Sequence, residues 1–363
     1  MHTAVQEKLF SELSLGALEL RSRVVMAPLT RIRADEDGVP TDIMVQHYAQ
    51  RASMGLIVAE GTWPIREGRS WVGQPGIETD AHVVGWKRVT DAVHAAGGTI
   101  VLQIMHGGRM SHPLISGTGR IVAPSAVAAS GQVRTPEGKQ DLPVPHALEA
   151  DEIPMVIAQF VQAARNAIRA GFDGVQIHGA NGYLLHQFSD PGSNHRGDEY
   201  GGSPENRARL SVEVTRAVAE AIGADRTSVR LSPPASFKNA AEPEADTVLP
   251  TYRAIAEGLA SLDLSFVDVL SGDLAGEVVQ TIREASGAPL VGNGGFGDPT
   301  SRQEALQLVA RQTVDAVGVG RAAIANPDLV RRWEEGLAEN EPVPATFYVG
   351  GERGYVDYPA FSG

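Results

Sequence analysis

Residues 289–297 read Pro-Leu-Val-Gly-Asn-Gly-Gly-Phe-Gly, and residues 315–321 read Asp-Ala-Val-Gly-Val-Gly-Arg. Each stretch is a short apolar run that ends in glycines and contains a G-x-G pattern. That pattern alone is a weak signal of a dinucleotide-binding fold. Too little chain follows the second stretch to complete such a fold, and Asp315 begins a strand where a ribose-binding acid would end one.

The two stretches are better explained together. Loops after strands seven and eight of a β/α barrel commonly build one phosphate site from backbone N–H groups. Glycine lets the backbone approach an anion, and an arginine can bind that anion through two N–H groups. The residues of this expected phosphate site are Gly294, Gly295, Gly320 and Arg321.

Eight short runs along the chain, these two included, have the continuous hydrophobicity of parallel strands covered by helices. The predicted strands are Val24–Pro28, Leu56–Glu60, Thr99–Gln103, Gly174–His178, Ser228–Ser232, Phe266–Leu270, Pro289–Gly292 and Asp315–Val319.

Helical patterns with readable ends lie between the predicted strands. An apolar stripe from Ile153 to Ile168 is stopped by Gly171, another over Trp86–Val93 is stopped by Gly97, and Ser203 followed by Pro204 is typical of a helix start. Because a closed sheet has no exposed edge, we predict an α/β fold, a single (β/α)8 TIM barrel over residues 1–363. An open doubly wound sheet is the rival.

Two segments interrupt the alternation. Residues before Val24 are short enough to form an N-terminal hairpin that closes the barrel floor. Residues 104–150 are rich in Gly, Pro and Ser and form an insertion after the third strand. Long insertions at the rim of a barrel are usually lids or site walls, so we expect a lid over the active-site rim here.

Composition excludes several classes of protein. The formal net charge of −13 argues against binding to nucleic acid or to a membrane surface. Because the chain has no cysteine, it can form neither disulfides nor iron–sulfur clusters nor thiolate zinc sites. The first residues lack a signal-peptide pattern, and no apolar run is long enough to span a bilayer, so the expected location is cytoplasmic.

Polar residues gather at the ends of the predicted strands, where barrel enzymes build their sites. They are Thr30, Glu60, Gln103, His178 and Arg230. Singly, each has a structural explanation, and Glu60 is expected to pair with a buried cation. Together they suggest that a flat ring attached to the phosphate lies across Thr30, Ala59, Gln103 and Arg230, with the last two binding its polar edge.

Residues 178–183 read His-Gly-Ala-Asn-Gly-Tyr. Side chains three residues apart share one face of a helical turn, so His178 and Asn181 are expected to donate to one oxygen of a carbonyl or nitro group. Tyr183 adds a hydroxyl that can deliver a proton. No second spaced ligand favours a metal here, and we predict no metal at His106 and His112 either.

Several segments in order resemble the Old Yellow Enzyme family, from about residue 8 to the C-terminal region. They are Met26-Ala27-Pro28-Leu29-Thr30-Arg31, His178-Gly179-Ala180-Asn181-Gly182-Tyr183-Leu184-Leu185, Asp198-Glu199-Tyr200-Gly201-Gly202-Ser203 with Glu205-Asn206-Arg207, Asn293-Gly294-Gly295, Gly320-Arg321 with Ile324-Ala325-Asn326-Pro327, and Gly354-Tyr355-Val356-Asp357-Tyr358-Pro359.

The resemblance implies a barrel that binds FMN, which NADPH or NADH reduces and an activated alkene reoxidises. By position, the residues that would hold FMN are Pro28, Leu29, Thr30, Ala59, Gln103, Arg230, Gly294, Gly295, Gly320 and Arg321. Thr30 would also tune the flavin potential. His178 and Asn181 would hold the acceptor oxygen, hydride would pass from flavin N5 to the β-carbon, and Tyr183 would protonate the α-carbon.

The chain departs from the family pattern around the substrate. Met105 stands where many members have tryptophan, Trp71 where tyrosine is common, and His186 where aspartate is common. The expected substrate-binding residues are His178, Asn181, Trp71, Met105 and Tyr348. These departures bear on substrate range and leave the reaction type unchanged.

Three alternatives remain open at this stage. The same site could reduce nitrate esters or nitroaromatic compounds. A flavin-free barrel could bind a phosphorylated metabolite, although a Schiff-base aldolase needs a strand lysine and no predicted strand has one. A noncatalytic flavin sensor would leave Tyr183 without a role. The sequence does not indicate the oligomeric state.

Overall fold

The computed structural model describes residues 7–233, 245–297 and 299–362. The strands are β1 (Leu13–Leu15), β2 (Leu18–Leu20), β3 (Val24–Met26), β4 (Leu56–Thr62), β5 (Ile100–Ile104), β6 (Val122–Ala123), β7 (Gln132–Thr135), β8 (Gly138–Asp141), β9 (His146–Ala147), β10 (Gly174–His178), β11 (Thr227–Leu231), β12 (Phe266–Leu270), β13 (Leu290–Asn293) and β14 (Ala316–Val319).

The α-helices lie between the strands of the barrel or after the last of them. They are α1 (Asp42–Ala49), α2 (Asp80–Ala95), α3 (Pro113–Ser116), α4 (Ile153–Arg169), α5 (Leu184–Ser189), α6 (Pro204–Ile222), α7 (Ala245–Leu259), α8 (Glu277–Ser286), α9 (Arg302–Ala310), α10 (Arg321–Ala325) and α11 (Leu329–Glu335). Within the described ranges, no helix is both long enough and apolar enough to cross a bilayer.

Eight parallel strands of the described chain close into a barrel in the order β3, β4, β5, β10, β11, β12, β13, β14. The last strand pairs with the first, with Val317 opposite Val24 and Val319 opposite Met26. The predicted barrel is confirmed and the open sheet excluded. All eight predicted strands are present, and their ends differ from the predicted ones by up to two residues. Asp315, for example, precedes β14, and its carboxylate accepts the Leu290 N–H.

The strands are continuous apolar runs because both of their faces are covered. Every residue of β4, β5, β10, β11 and β12 is buried. Side chains on the outer face, such as Ile57, pack against the helices in the large hydrophobic core. Side chains on the inner face, such as Val58, form a second cluster inside the barrel. Alternate residues of one strand therefore serve two separate cores.

The predicted helix ends are confirmed by their capping groups. Gly171, with φ of +88°, follows α4, and a side chain is strained in that left-handed region. The Ser203 hydroxyl accepts the Asn206 N–H at the start of α6. Gly97, with φ of +77°, follows α2.

The N-terminal hairpin of β1 and β2 lies at the amino-terminal end of the barrel. Leu15, Leu18 and Leu20 pack into the inner cluster with Leu56 and Phe266. The predicted hairpin floor is therefore confirmed, and it leaves the carboxyl ends of the strands as the open end.

The insertion after β5 contains the short helix α3 and the four short strands β6 to β9. Strands β7 and β8 form an antiparallel hairpin, and β6 pairs with β9. Arg196 fastens the segment to the barrel by donating to the Pro124 and Leu148 carbonyl oxygens. The β7–β8 hairpin is largely exposed to solvent. The lid that we expected from this insertion stays a prediction.

Candidate active site

Two adjoining cavities lie at the carboxyl ends of the barrel strands, with volumes of about 270 and 120 Å³. Both are lined by a shared set of residues, namely Pro28, Leu29, Thr30, Asn181, Arg230, Phe296 and Tyr348. The two cavities are therefore parts of one continuous depression. The larger one extends to the loops after β13 and β14, and the smaller one extends to β5 and β10.

The loops after β13 and β14 meet at the far end of the larger cavity, where Asn293, Gly295, Gly320 and Arg321 line it. Gly295 has φ of +94°, a conformation that a side chain would strain. The Asn293 side chain, at the end of β13, donates to the Gly318 carbonyl oxygen of β14 at 2.8 Å and so joins the two strands below these loops. The Arg321 guanidinium donates to the Phe296 and Gly297 carbonyl oxygens.

Two of the residues predicted to hold the cofactor do not line either cavity. Gly294 begins the loop after β13, and a Cβ there would come within 2.9 Å of the Glu304 Oε1. The Ala59 side chain belongs to the hydrophobic core between strands and helices, because it points to the outer face of β4.

The loop that carries Pro28, Leu29 and Thr30 is held by a buried carboxylate. Glu60 accepts the backbone N–H groups of Arg31 and Ile32 at 3.0 and 3.1 Å and the Tyr48 hydroxyl at 3.2 Å. Burial raises the pKa of the Glu60 carboxyl, although these donors offset part of the rise. Two backbone N–H groups of the loop after β3 thus hold this carboxylate, and the buried Arg31 guanidinium is the cation that acts on it through its charge, which opposes the rise in its pKa.

Gln103 and Arg230 line the cavities from neighbouring parts of the barrel, as predicted. Beneath them lie two buried polar residues that we did not predict, Gln176 and Asp268. Gln103 donates to Gln176 at 2.8 Å, Gln176 donates to Asp268 at 3.0 Å, and Arg230 donates to the same Asp268 oxygen. Burial raises the pKa of the Asp268 carboxyl, and the Arg230 guanidinium beside it opposes that rise.

His178, Asn181 and Tyr183 line the smaller cavity together. His178 is the last residue of β10, and its ring centroid lies 5.1 Å from that of Tyr183. Asn181 has φ of +58°, and its N–H donates to the Ser232 hydroxyl at 2.8 Å. The two residues thus line one cavity, but they do not share a helical turn: helix α5 begins only at Leu184, and Asn181 itself is left-handed.

The His186 side chain stabilises the turn at Asn181 and Gly182. It is fully buried, and its Nδ1 accepts the Gly182 N–H at 3.1 Å. Its Nε2 lies 3.5 Å from the Tyr252 hydroxyl. The departure from the family pattern that we noted at His186 therefore concerns support of the turn, since His186 lines neither cavity.

Trp71, Met105 and Tyr348 line the smaller cavity, with Met105 buried and Tyr348 exposed to solvent. The Trp71 and Tyr348 rings are stacked. Met105 fits beside Gly61, where a Cβ would come within 2.7 Å of the Met105 sulfur. Among described residues of the insertion 104–150, Met105 alone lines these cavities, so the mouth is covered mainly by Trp71 and Tyr348.

The two histidines considered for a metal serve the local backbone. Nδ1 of His106 accepts the Gly108 N–H, and Nδ1 of His112 accepts the Leu114 N–H, each at 3.1 Å. Burial lowers the pKa of His106 to about 4. The part of the chain that the structure describes contains no cluster of three or more residues suited to hold a metal.

Several lining residues were missed from the sequence. They are Ala27, Arg31, Leu270, Asn293, Phe296, Pro299, Thr300, Ile324 and Phe347. Phe296 lies in the quoted glycine stretch and Phe347 precedes Tyr348, so their neighbours were the available signal. Leu270 and Ile324 are ordinary core residue types, and only their position at a strand or helix end brings them to the site.

The chain matches known proteins over nearly its whole length. The sequence model of the NADH:flavin oxidoreductase / NADH oxidase family matches residues 8–340. A probable flavin mononucleotide-dependent alkene reductase of Leishmania infantum is 46% identical over 357 residues, with 96% of each chain covered.

Solved structures give the same result. The Old Yellow Enzyme homologue from Zymomonas mobilis superposes with a TM-score of 0.91 at 42% identity and covers 97% of this chain and 99% of its own. Morphinone reductase in complex with tetrahydroNAD superposes with a TM-score of 0.91 at 42% identity, with 98% of each chain covered.

Proposed function

The chain belongs to the NADH:flavin oxidoreductase / NADH oxidase family, which its motifs identify as the Old Yellow Enzyme family, and from that premise we propose that the larger cavity holds FMN and the smaller cavity holds the acceptor. It is an FMN-dependent ene-reductase that reduces activated C=C bonds with a nicotinamide as reductant. One observation supports the division: Gly295, Gly320 and Arg321 line only the larger cavity, His178 and Tyr183 line only the smaller one, and Asn181 lies where the two meet.

The residues of the larger cavity fit FMN. The loops at Gly295 and Gly320 lack side chains that would block a phosphate, and Arg321 lies beside them. Nε of Arg230 is buried and has no hydrogen-bond partner among the described residues, so it can donate to a polar ring edge. When bound, FMN would take hydride from the nicotinamide and give it to the alkene. Gly294 and Ala59 would contribute through their backbone.

The residues of the smaller cavity fit the acceptor. His178 and Asn181 would each donate a hydrogen bond to the carbonyl or nitro oxygen, which draws electrons from the double bond and stabilises the negative charge that builds on that oxygen. The Ser232 hydroxyl accepts the Asn181 N–H and His186 accepts the Gly182 N–H, so the backbone that carries the carboxamide is held in place before the substrate arrives. Tyr183 would hold the proton that the α-carbon receives.

Trp71, Met105 and Tyr348 would shape the space around the acceptor. All three are largely apolar, so they suit a neutral ring compound such as a cyclic enone. The reductant is NADPH or NADH, and the cytoplasmic location stays a prediction.

The test uses absorbance of the FMN-loaded protein under anaerobic conditions. We expect NADPH or NADH to bleach the flavin band and 2-cyclohexenone to restore it. A protein that gains no flavin spectrum when FMN is added would instead support the flavin-free barrel. A flavin that is bleached by the nicotinamide but not restored by enones or nitroalkenes would contradict the proposed acceptor class.

A further inference from the structure

Two polar side chains of the barrel interior, Gln176 and Asp268, are buried below the cavities and have no role in the function proposed above. They are 0% and 1% exposed. Asp268 of β12 lies opposite Arg230 of β11, and Gln176 of β10 lies opposite Gln103 of β5. Each of them therefore touches a residue that lines the site.

The hydrogen bonds among these residues have a direction. An ionised carboxylate only accepts hydrogen bonds, so Asp268 requires the amide nitrogen of Gln176 to face it, which it does at 3.0 Å. The Gln176 oxygen is then turned toward Gln103, and it accepts the Gln103 Nε2 at 2.8 Å. Asp268 thereby determines which end of the Gln103 amide remains directed to the cavity.

Asp268 also balances a charge. Nη1 of Arg230 donates to the same Asp268 oxygen that accepts from Gln176. Arg230 is only 4% exposed, so its cation has little water to stabilise it and depends on this carboxylate. A ligand in the cavity therefore contacts an arginine whose positive charge is largely balanced by the Asp268 carboxylate on the side away from the cavity.

We propose that Asp268 is a positioning residue with two effects: it sets the orientation of the Gln103 amide, and with it the affinity for FMN, and it sets the net charge at Arg230, and with it the relative affinity for reduced and oxidised FMN. This inference rests on the FMN binding proposed above. Reduced flavin is commonly anionic, and an uncompensated cation beside its polar edge favours that form. Asp268 therefore holds the reduction potential lower than Arg230 alone would.

The first variant is Asp268→Asn in the FMN-loaded protein. Fluorescence titration gives the Kd of oxidised FMN, and a redox titration gives the midpoint potential. We expect the ratio of Kd for oxidised to Kd for reduced FMN to rise about tenfold, which for a two-electron couple raises the potential by about 30 mV. A potential that is unchanged or falls in a variant that still binds FMN would overturn the proposal.

The second variant, Gln176→Leu, separates orientation from charge. It breaks the connection between Gln103 and Asp268 but leaves the Arg230–Asp268 pair intact. We expect the Kd of oxidised FMN to rise about fivefold, a modest hydrogen-bond effect, with the Kd ratio unchanged. If Asp268→Asn does not fold, this variant decides the matter: an unchanged Kd for oxidised FMN overturns the proposal.

Asp315→Asn is the matched control. It removes an aspartate that pairs with Arg283 at 2.9 Å at the other end of the barrel, so it tests for general loosening. We expect its Kd ratio to stay within twofold of the parent value, and a shift as large as that of Asp268→Asn would overturn the proposal. Failure of the proposed function looks different, since the unmodified protein would then not bind FMN at all.

Discussion

The indole ring of Trp71 stacks on the phenol ring of Tyr348, with ring centroids 5.7 Å apart and planes 10° from parallel. Trp71 lies in the loop after β4, and Tyr348 lies in the C-terminal segment. Arg31 and Arg33 hold that segment by donating to the Phe347 carbonyl oxygen at 3.2 and 2.8 Å. The pair forms an aromatic wall at the mouth of the smaller cavity.

Removing half of this wall should widen the range of acceptors. In Trp71→Ala we expect the ratio of kcat/KM for a bicyclic enone to kcat/KM for 2-cyclohexenone to rise about tenfold, since space is gained and contact with the small substrate is lost. Steady-state kinetics on both substrates measures the ratio. Val72→Ala alters the exposed neighbour and should leave it unchanged. An unchanged ratio in Trp71→Ala would remove Trp71 from the substrate site.

Tyr183→Phe should separate the two half-reactions. Flavin reduction by NADPH or NADH should keep its rate, while reoxidation by 2-cyclohexenone should slow about 100-fold because the α-carbon loses its proton donor. Anaerobic stopped-flow absorbance measures both rates. Tyr200→Phe is the control, since the Tyr200 hydroxyl donates to Glu213 away from the cavities. Equal slowing of both half-reactions would point to a misplaced flavin and not to a lost proton.

Asn181 should have a chemical and a conformational role that two substitutions distinguish. Asn181→Ala and Asn181→Gly both remove the carboxamide, so both should slow reoxidation by an enone about 100-fold. Because φ is +58° at this position, the glycine variant should be more stable than the alanine variant by about 1 kcal/mol. Urea unfolding measures the stability. If alanine is as stable as glycine here, the turn relaxes without strain.

His106 should make stability fall as the pH falls. Its pKa in the folded protein is about 4, below the ordinary value of 6.5, so the unfolded chain binds the proton more readily. This contribution is complete above pH 6.5 and is lost progressively toward pH 4. Between pH 7.5 and 5, the free energy of unfolding should fall about 2 kcal/mol more in the parent protein than in His106→Asn.

The asparagine variant keeps an acceptor for the Gly108 N–H and removes the titrating group. Since all other groups are common to both proteins, their effects cancel in the difference between the two urea titrations. Equal losses of stability in the two proteins would mean that His106 takes up its proton in the folded state as easily as in the unfolded state.

Much of the site was predictable because it follows from the position of a residue along a strand. Side chains at the carboxyl ends of parallel strands must gather at one end of a barrel, so Gln103, His178 and Arg230 were expected to meet. The hairpin floor and the glycine loops followed from local patterns in the same way. The helical-turn expectation at Asn181 was wrong because spacing does not reveal a left-handed residue.

The sequence by itself determined the order of strands and helices and the rim on which the chemistry lies, and it favoured the barrel over an open sheet. Continuous apolar runs need cover on both faces, and glycines near the C-terminus admit an anion, so these conclusions depend only on neighbours in the chain. Tertiary structure alone decided that Asp268 orders Gln176 and Gln103, and that Trp71 meets Tyr348. Those contacts join residues that are distant in sequence, and the side chains meet only when the chain has folded.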